Sequence, residues 1–396
     1  MALWRAGAPA AWSQALPQEV AASKVRLLDA DSQVVEGTFP GLLLFPKTAP
    51  NYHDEKYHRV YRLACHVYAA APGRNGGEIV YRRRFLVCAA DRDALAFTRK
   101  VARLLLLLYG ERHERIRDDH AGDRPTVNVW LTERVEPGLS PDTGGEQFEN
   151  QIYLYNIHRE RADIEWAREI AHEYGHYALP GISGFKSPEE WANGVLGERL
   201  FLKWLRDDLQ AARIKASDLD FVDAAMLNNY YTRAIWPLIA RLLRFGMDPQ
   251  AITGTNAAGM DYYTGFALYV DTLYGTAALV SAMQDTRSAS SLTFSRATDF
   301  LVGFTTALRG ENEITLNVPA FGATEREHTI HFYLPAGTWN VAMQPGVLAW
   351  QVPSDAEAGL LCTETQVTAR KPGWCILKYL RARDGTAGRL TFRKRG

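Results

Sequence analysis

Long apolar runs are missing from this 396-residue chain: its longest aliphatic stretch, Leu104–Leu108, follows closely on Arg99, Lys100 and Arg103. Crossing a bilayer takes about 20 apolar residues, so no membrane span is expected and this stretch reads as a core helix. Net charge is missing as well, because 45 basic residues face 45 acidic ones. A balanced chain has no broad electrostatic footprint for nucleic acid or an anionic membrane, so neither is an expected partner. Arg82–Arg84 and the Arg393–Arg395 tail read as solvated faces. Met1–Ala22 has no continuous apolar core, so no signal peptide is recognised there. Neither an internal repeat nor a low-complexity tract is present, and there is no Gly-x-Ser-x-Gly elbow of a serine hydrolase.

Cysteine is scarce, with four in the chain, and they fall into two local couples, Cys65 with Cys88 and Cys362 with Cys375. Strands over Tyr61–Tyr68 and Tyr81–Cys88 would flank a turn at Asn75-Gly76, and both cysteines lie equally far from its centre. That symmetry predicts cross-strand neighbours within disulfide reach. Two disulfides imply an oxidising compartment, so a secreted or periplasmic protein is expected; four buried thiols in a cytosolic protein is the other reading. The intervals lack the short Cys-x2-4-Cys knuckles of a zinc ribbon.

What is present is ordinary globular sequence, 47% hydrophobic and 23% charged, long enough for two or three domains. Residues 24–90 alternate apolar and polar positions between Gly, Pro and Asn breaks, which predicts a β-rich N-terminal domain over 1–90. From Asp91 the period becomes helical. Helices are expected at Asp91–Tyr109, Asp163–Leu179, Pro188–Asp208, Ser217–Phe245, Asp261–Gln284 and Ser295–Leu308, with strands at Thr126–Leu131 and Gln151–Ile157, giving a mostly helical domain over 91–310. After Gly310 strand patterns return at Glu327–Leu334, Thr338–Ala342, Gly359–Val367 and Trp374–Leu380, and 311–396 reads as a β-sandwich.

Chemistry concentrates in Arg168–Pro180, which contains His172-Glu173-x-x-His176. Positions i and i+4 share a helix face, so both imidazoles can grip one metal ion while Glu173 addresses a water on it. Asp163 is a fitting N-cap, Ile164, Ala167, Ile170, Ala171 and Tyr174 supply an apolar face, and Pro180-Gly181 ends the helix. Zinc bound this way lowers the pKa of its water from about 15.7 toward about 7, and an adjacent carboxylate can accept the proton.

A catalytic zinc needs a third protein ligand. The metzincin solution requires a glycine where Leu179 stands, and the next histidine is His328, so a carboxylate on a following helix remains: Glu189, Glu190 or Glu198. If that helix begins near Pro188, rise arithmetic at about 1.5 Å per residue puts Glu189 and Glu190 in its first turn and favours Glu198, which shares a face with Trp191 and Val195.

Three segments together resemble the gluzincin metallopeptidases, and among them the group of aminopeptidase N and leukotriene A4 hydrolase, over roughly Asp91–Leu308. The first is the zinc helix. The second, Asp261–Gly275, is similar to that group's Tyr-x-Lys-Gly segment, with Tyr262 at the tyrosine and Thr264 in place of the lysine. The third, Phe148-Glu149-Asn150, is similar to the end of a Gly-Ala-Met-Glu-Asn motif, with Glu146 and Gln147 in place of its glycine and alanine. The group's third ligand stands in Asn-Glu-Gly, whereas Asn193-Gly194 lacks that glutamate.

The resemblance implies an α+β, thermolysin-like and mostly helical catalytic domain, here flanked by the N-terminal β-rich and C-terminal β-sandwich domains. It implies one Zn2+ held by His172, His176 and Glu198, with Glu173 as general base. Tyr262 would stabilise the oxyanion. Glu149 would bind the substrate's free α-amine, and the strand after it would pair with the peptide backbone. The expected activity is a zinc-dependent peptidase acting on a peptide or protein substrate, endopeptidase more than aminopeptidase because the amine-binding motif is incomplete. The C-terminal domain is expected to take a further ligand. The alternative is a non-catalytic adhesion or carbohydrate-binding protein on a degenerate gluzincin fold.

Overall fold

A computed structural model describes residues 19–21, 33–35, 41–46, 51–72, 79–116, 126–285, 296–319, 327–344, 346–353, 361–362, 365–382 and 388–396. Over these the protein is mixed α+β, and it divides into two compact units. The first takes the described residues up to Glu114, those from 126 to Tyr177, and Trp204–Leu227; the second takes Ala178–Lys203 and the described residues from Asn228 onward.

The strands of the first unit are β1 (Glu19–Ala21), β2 (Gln33–Val35), β3 (Gly41–Leu44), β4 (Tyr52–His53), β5 (Val60–Tyr61), β6 (Leu63–Pro72), β7 (Ile79–Ala89), β8 (Val127–Leu131), β9 (Gly145–Phe148) and β10 (Gln151–Leu154). One mixed sheet runs β2-β3-β6-β7-β8-β10-β9, with β1 also on β7, while β4 and β5 form a small ladder of their own. Strands β7, β8 and β10 are mutually parallel and β9 returns antiparallel. A parallel neighbour needs a crossover, and α1 (Leu95–Ile116) provides it between β7 and β8. The sheet therefore continues across residue 91 rather than ending there. Leu106 of α1 packs so closely on β3 that a Cβ on Gly41 would meet its methyl at 2.2 Å.

Helix α2 (Asp163–Ala178) opens with Asp163 and Glu165, favourable charges at its positive end, and stops two residues before Pro180. Its buried side carries Trp166, Ala167, Ile170, Ala171 and Tyr174. Trp166 meets Phe97 of α1 at 4.9 Å between ring centroids, and Tyr174 meets Phe85 of β7 at 5.6 Å.

The cysteine expectation is corrected by register. The Asn75-Gly76 turn lies outside the described residues, but the ladder sets Cys65 opposite Val87 and Cys88 opposite Ala64, one residue out of the expected register. Side chains alternate across a sheet, so this offset of one residue turns the two thiols to opposite faces. None of Cys65, Cys88 and Cys375 is in a disulfide, and the Cys362 side chain lies outside the described residues.

The second unit holds α3 (Ala192–Gln210, the last turns of which belong to the first unit), α4 (Ala224–Tyr230, likewise shared), α5 (Trp236–Phe245), α6 (Ala257–Leu273), α7 (Thr276–Asp285) and α8 (Ala297–Gly310). The single helix expected over Ser217–Phe245 is divided, since Pro237 lacks an amide donor and sits in the first turn of α5, behind a π turn at Tyr231–Ile235. Gly275, at φ +88°, likewise separates α6 from α7.

Two further sheets complete the second unit. One orders β11 (Glu313–Val318), β18 (Gly388–Lys394), β13 (Gly337–Met343), β16 (Gln366–Ala369) and β15 (Leu361–Cys362); the other orders β12 (Glu327–Leu334), β17 (Gly373–Arg381) and β14 (Val347–Gln351). Phe332 of β12 meets Phe392 of β18 between them at 5.4 Å. The outer edge of β12 is closed by α6: the Tyr269 hydroxyl donates to the His331 carbonyl at 2.8 Å and Tyr274 to the Tyr333 carbonyl at 3.0 Å.

Deep in the first unit, His66 of β6 lies 3.2 Å from Arg83 Nη1 through Nδ1 and 3.1 Å from the Tyr52 hydroxyl through Nε2. Arg83 can only donate, so Nδ1 accepts and the ring proton sits on Nε2. Burial, with the Arg83 charge second, pulls the His66 pKa down to about 3. An unfolded histidine protonates near about 6.5, so between these values the unfolded chain binds the extra proton and the fold loses stability as pH falls. Urea midpoints measured from pH 7 to 4 should fall with this slope, and His66→Gln should flatten it while costing about 1–3 kcal/mol at pH 7.

Candidate metal centre

Helix α2 puts His172 and His176 one turn apart on a half-buried face, with ring centroids 4.8 Å apart and planes at 76°. Their Nε2 atoms are 3.1 Å from each other. A tetrahedral zinc with nitrogen ligands at about 2.0–2.1 Å separates two such nitrogens by about 3.3 Å, so the pair suits that ion. Two imidazoles and a carboxylate are the donor set of a catalytic zinc site that leaves a position for water.

Helix α3 begins at Ala192, so Glu189 stands in the segment ahead of the helix and Glu198 in its second turn. The Glu198 carboxylate accepts a hydrogen bond from the Tyr230 hydroxyl at the end of α4.

Glu173, the residue between the two histidines, is buried. It lies against the edge strand of the first sheet: a Cβ built on Gly145 of β9 would stand 2.8 Å from Glu173 Cγ and 3.0 Å from its Oε1. Next to it, a Cβ on Gly144 would stand 2.3 Å from Oε2 of Glu169, one turn earlier on α2. The Gly144-Gly145 pair thus brings bare backbone directly onto the helix. Glycine in a strand commonly marks such an approach, and this signal was available in the sequence but went unused.

Glu149 sits at the tip of the β9–β10 hairpin, exposed and with φ of 53°. The strand it opens, β10, is interior, flanked by β8 and β9, so both its edges are occupied. At this end of the sheet the outermost strand among the described residues is β9, which precedes Glu149. Tyr262 is 4% exposed in α6, and its oxygen accepts from the Asp248 amide while lying 3.5 Å from Met247 Sδ. The Arg241 guanidinium stands 5.1 Å from the centre of its ring, and burial raises its pKa. Tyr262 thus touches the loop after α5.

No protein-family model matches the chain, and no curated protein matches its sequence.

The contact at Gly145 makes a stability prediction. Gly145→Ala should cost about 1–3 kcal/mol by urea unfolding, because the methyl displaces either Glu173 or β9. Gly310→Ala, where an added Cβ meets nothing within 4 Å, is the control and should be near neutral.

Proposed function

We propose that this protein is a zinc-dependent peptidase of gluzincin type, with a thermolysin-like arrangement around α2, in which His172 and His176 hold the metal with Glu198 as third ligand, Glu189 being the other candidate, and Glu173 acts as the general base. The observation that carries the reading is the convergence of the two Nε2 atoms to 3.1 Å on one face of α2. Zinc, when bound there, would supply Lewis acidity and a water whose pKa lies near about 7.

The rest falls to the chain's own residues. Glu173 takes a proton from the attacking water at its carboxylate and passes it to the departing amide nitrogen, a role a single carboxylate can fill in both directions. Its buried position against Gly145 holds it still for that transfer. The open edge of β9 offers backbone amides and carbonyls to an extended peptide, the strand-addition mode of peptide recognition. Strand order shifts the expected peptide-binding strand from β10 to β9, while Tyr262 as oxyanion donor and Glu149 as anchor for the substrate's α-amine remain part of the proposal.

Two measurements test the reading. Glu173→Gln should keep stoichiometric zinc and lose about three orders of magnitude or more of kcat on a mixed peptide library. Zinc content after dialysis should fall in Glu198→Gln, with affinity down by about 100-fold or more, and a fall in Glu189→Gln alone would move the third ligand there. A wild-type protein that retains no zinc, or a Glu173→Gln variant that still turns over, would sink the assignment.

A further inference from the structure

Strand β9 carries a second feature on the face turned away from α2. Side chains alternate along a strand, so Gly145 and Gln147 face the helix while Glu146 and Phe148 face the opposite side. There Glu146 forms an ion pair with Lys56 and accepts a hydrogen bond from the Tyr57 hydroxyl at 3.2 Å. The Lys56 ammonium is 5.0 Å from the centre of the Tyr57 ring and 5.2 Å from that of Phe148. Tyr57 in turn packs edge-on against Tyr153 of β10 at 5.1 Å, and Tyr153 stacks with Tyr155 at 6.3 Å. The result is a shelf, backed by rings, in which Lys56 is neutralised by Glu146, and on whose exposed surface Phe148, 44% accessible, is the large apolar side chain.

Edge strands ordinarily protect themselves with charge or proline. Here the charges of β9 are bound up beside the strand, and a flat aromatic ring is presented at the open edge instead. A peptide strand added to that edge places its outward-facing side chain about 4.5–5.5 Å from the one opposite, so one residue of the bound peptide falls on Phe148. The residue opposite Gly145 lies nearest Glu173. Phe148 is three residues farther along β9, about 10 Å at about 3.3 Å per residue.

Resting on the peptidase reading above, we infer that the Phe148–Lys56–Tyr57–Glu146 shelf is a specificity subsite for an aromatic or large aliphatic side chain about three residues from the cleaved bond. Its neutral charge and apolar surface select against charged side chains, which would lose hydration there without gaining a partner. The subsite acts on substrate choice and leaves proton transfer to Glu173.

The test is cleavage-site profiling of the zinc-loaded full chain on a mixed peptide library with free and blocked N-termini. The wild type should enrich Phe, Tyr, Leu or Met over Asp, Glu and Lys at one fixed position two to four residues from the bond, by about three- to tenfold in kcat/KM, the worth of an aromatic contact. That ratio should collapse toward one in Phe148→Ala, persist in Phe148→Tyr, and move toward acidic side chains in Glu146→Gln, which leaves the Lys56 charge uncompensated. Wild-type cleavage without a preference at that distance, or a preference unchanged in Phe148→Ala, overturns the subsite alone. Absence of any cleavage by zinc-loaded wild type overturns the peptidase reading and the subsite together.

Discussion

Between Gly145 and Glu173 there is no room for a methyl group, and the organisation of the candidate site follows from that one close approach. Helix α2 bears the two imidazoles and the buried carboxylate, while the edge strand β9 bears the open backbone groups. Because bare backbone lies on the helix, the two are held in one register. A larger residue at either Gly144 or Gly145 would have to push the strand off the helix or rotate a carboxylate away. Packing of Trp166 and Tyr174 against α1 and β7 fixes the other side of α2, so the helix cannot retreat to make space.

The sheet beneath is stiffened by polar groups that are buried and satisfied by one another. Gln151 of β10 accepts from Trp130 Nε1 at 2.9 Å and from the Tyr153 hydroxyl at 3.0 Å. Asp54, 1% exposed, accepts from the Arg59 amide at 2.8 Å and from Tyr153 at 3.3 Å. His66 joins the same face through Arg83 and Tyr52. Buried hydrogen-bond networks tolerate few alternative arrangements, since each lost partner leaves a desolvated group behind. The segment 51–61 is thereby anchored, and with it Lys56 and Tyr57 beside β9.

In the second unit the same economy of hydrogen bonds joins helix to sheet. Tyr269 of α6 and Tyr274 just after it present hydroxyls to the edge of β12, where a neighbouring strand would otherwise bond. Lys203 of α3 pairs with Asp271 of α6 at 2.7 Å, both buried, and Thr276 donates to the same carboxylate. Removing one member of such a pair is costly because the other charge is left in an apolar setting.

Local pattern was enough to place α2, its N-terminal acidic residues, its stop before Pro180 and the i, i+4 pairing of His172 with His176, because each depends on residues within a turn or two. The α+β class was legible for the same reason, since strand and helix periods are local properties. What the sequence by itself left open were matters of register and of partners distant in the chain. The β6–β7 register set Cys65 opposite Val87 instead of Cys88, the helix expected from Pro188 started only at Ala192, and strand order made β9 the edge instead of β10. Local propensity does not encode these, because they are decided by how whole elements pack: a strand's period is two and a helix's 3.6, so a shift of a single residue redirects a side chain entirely.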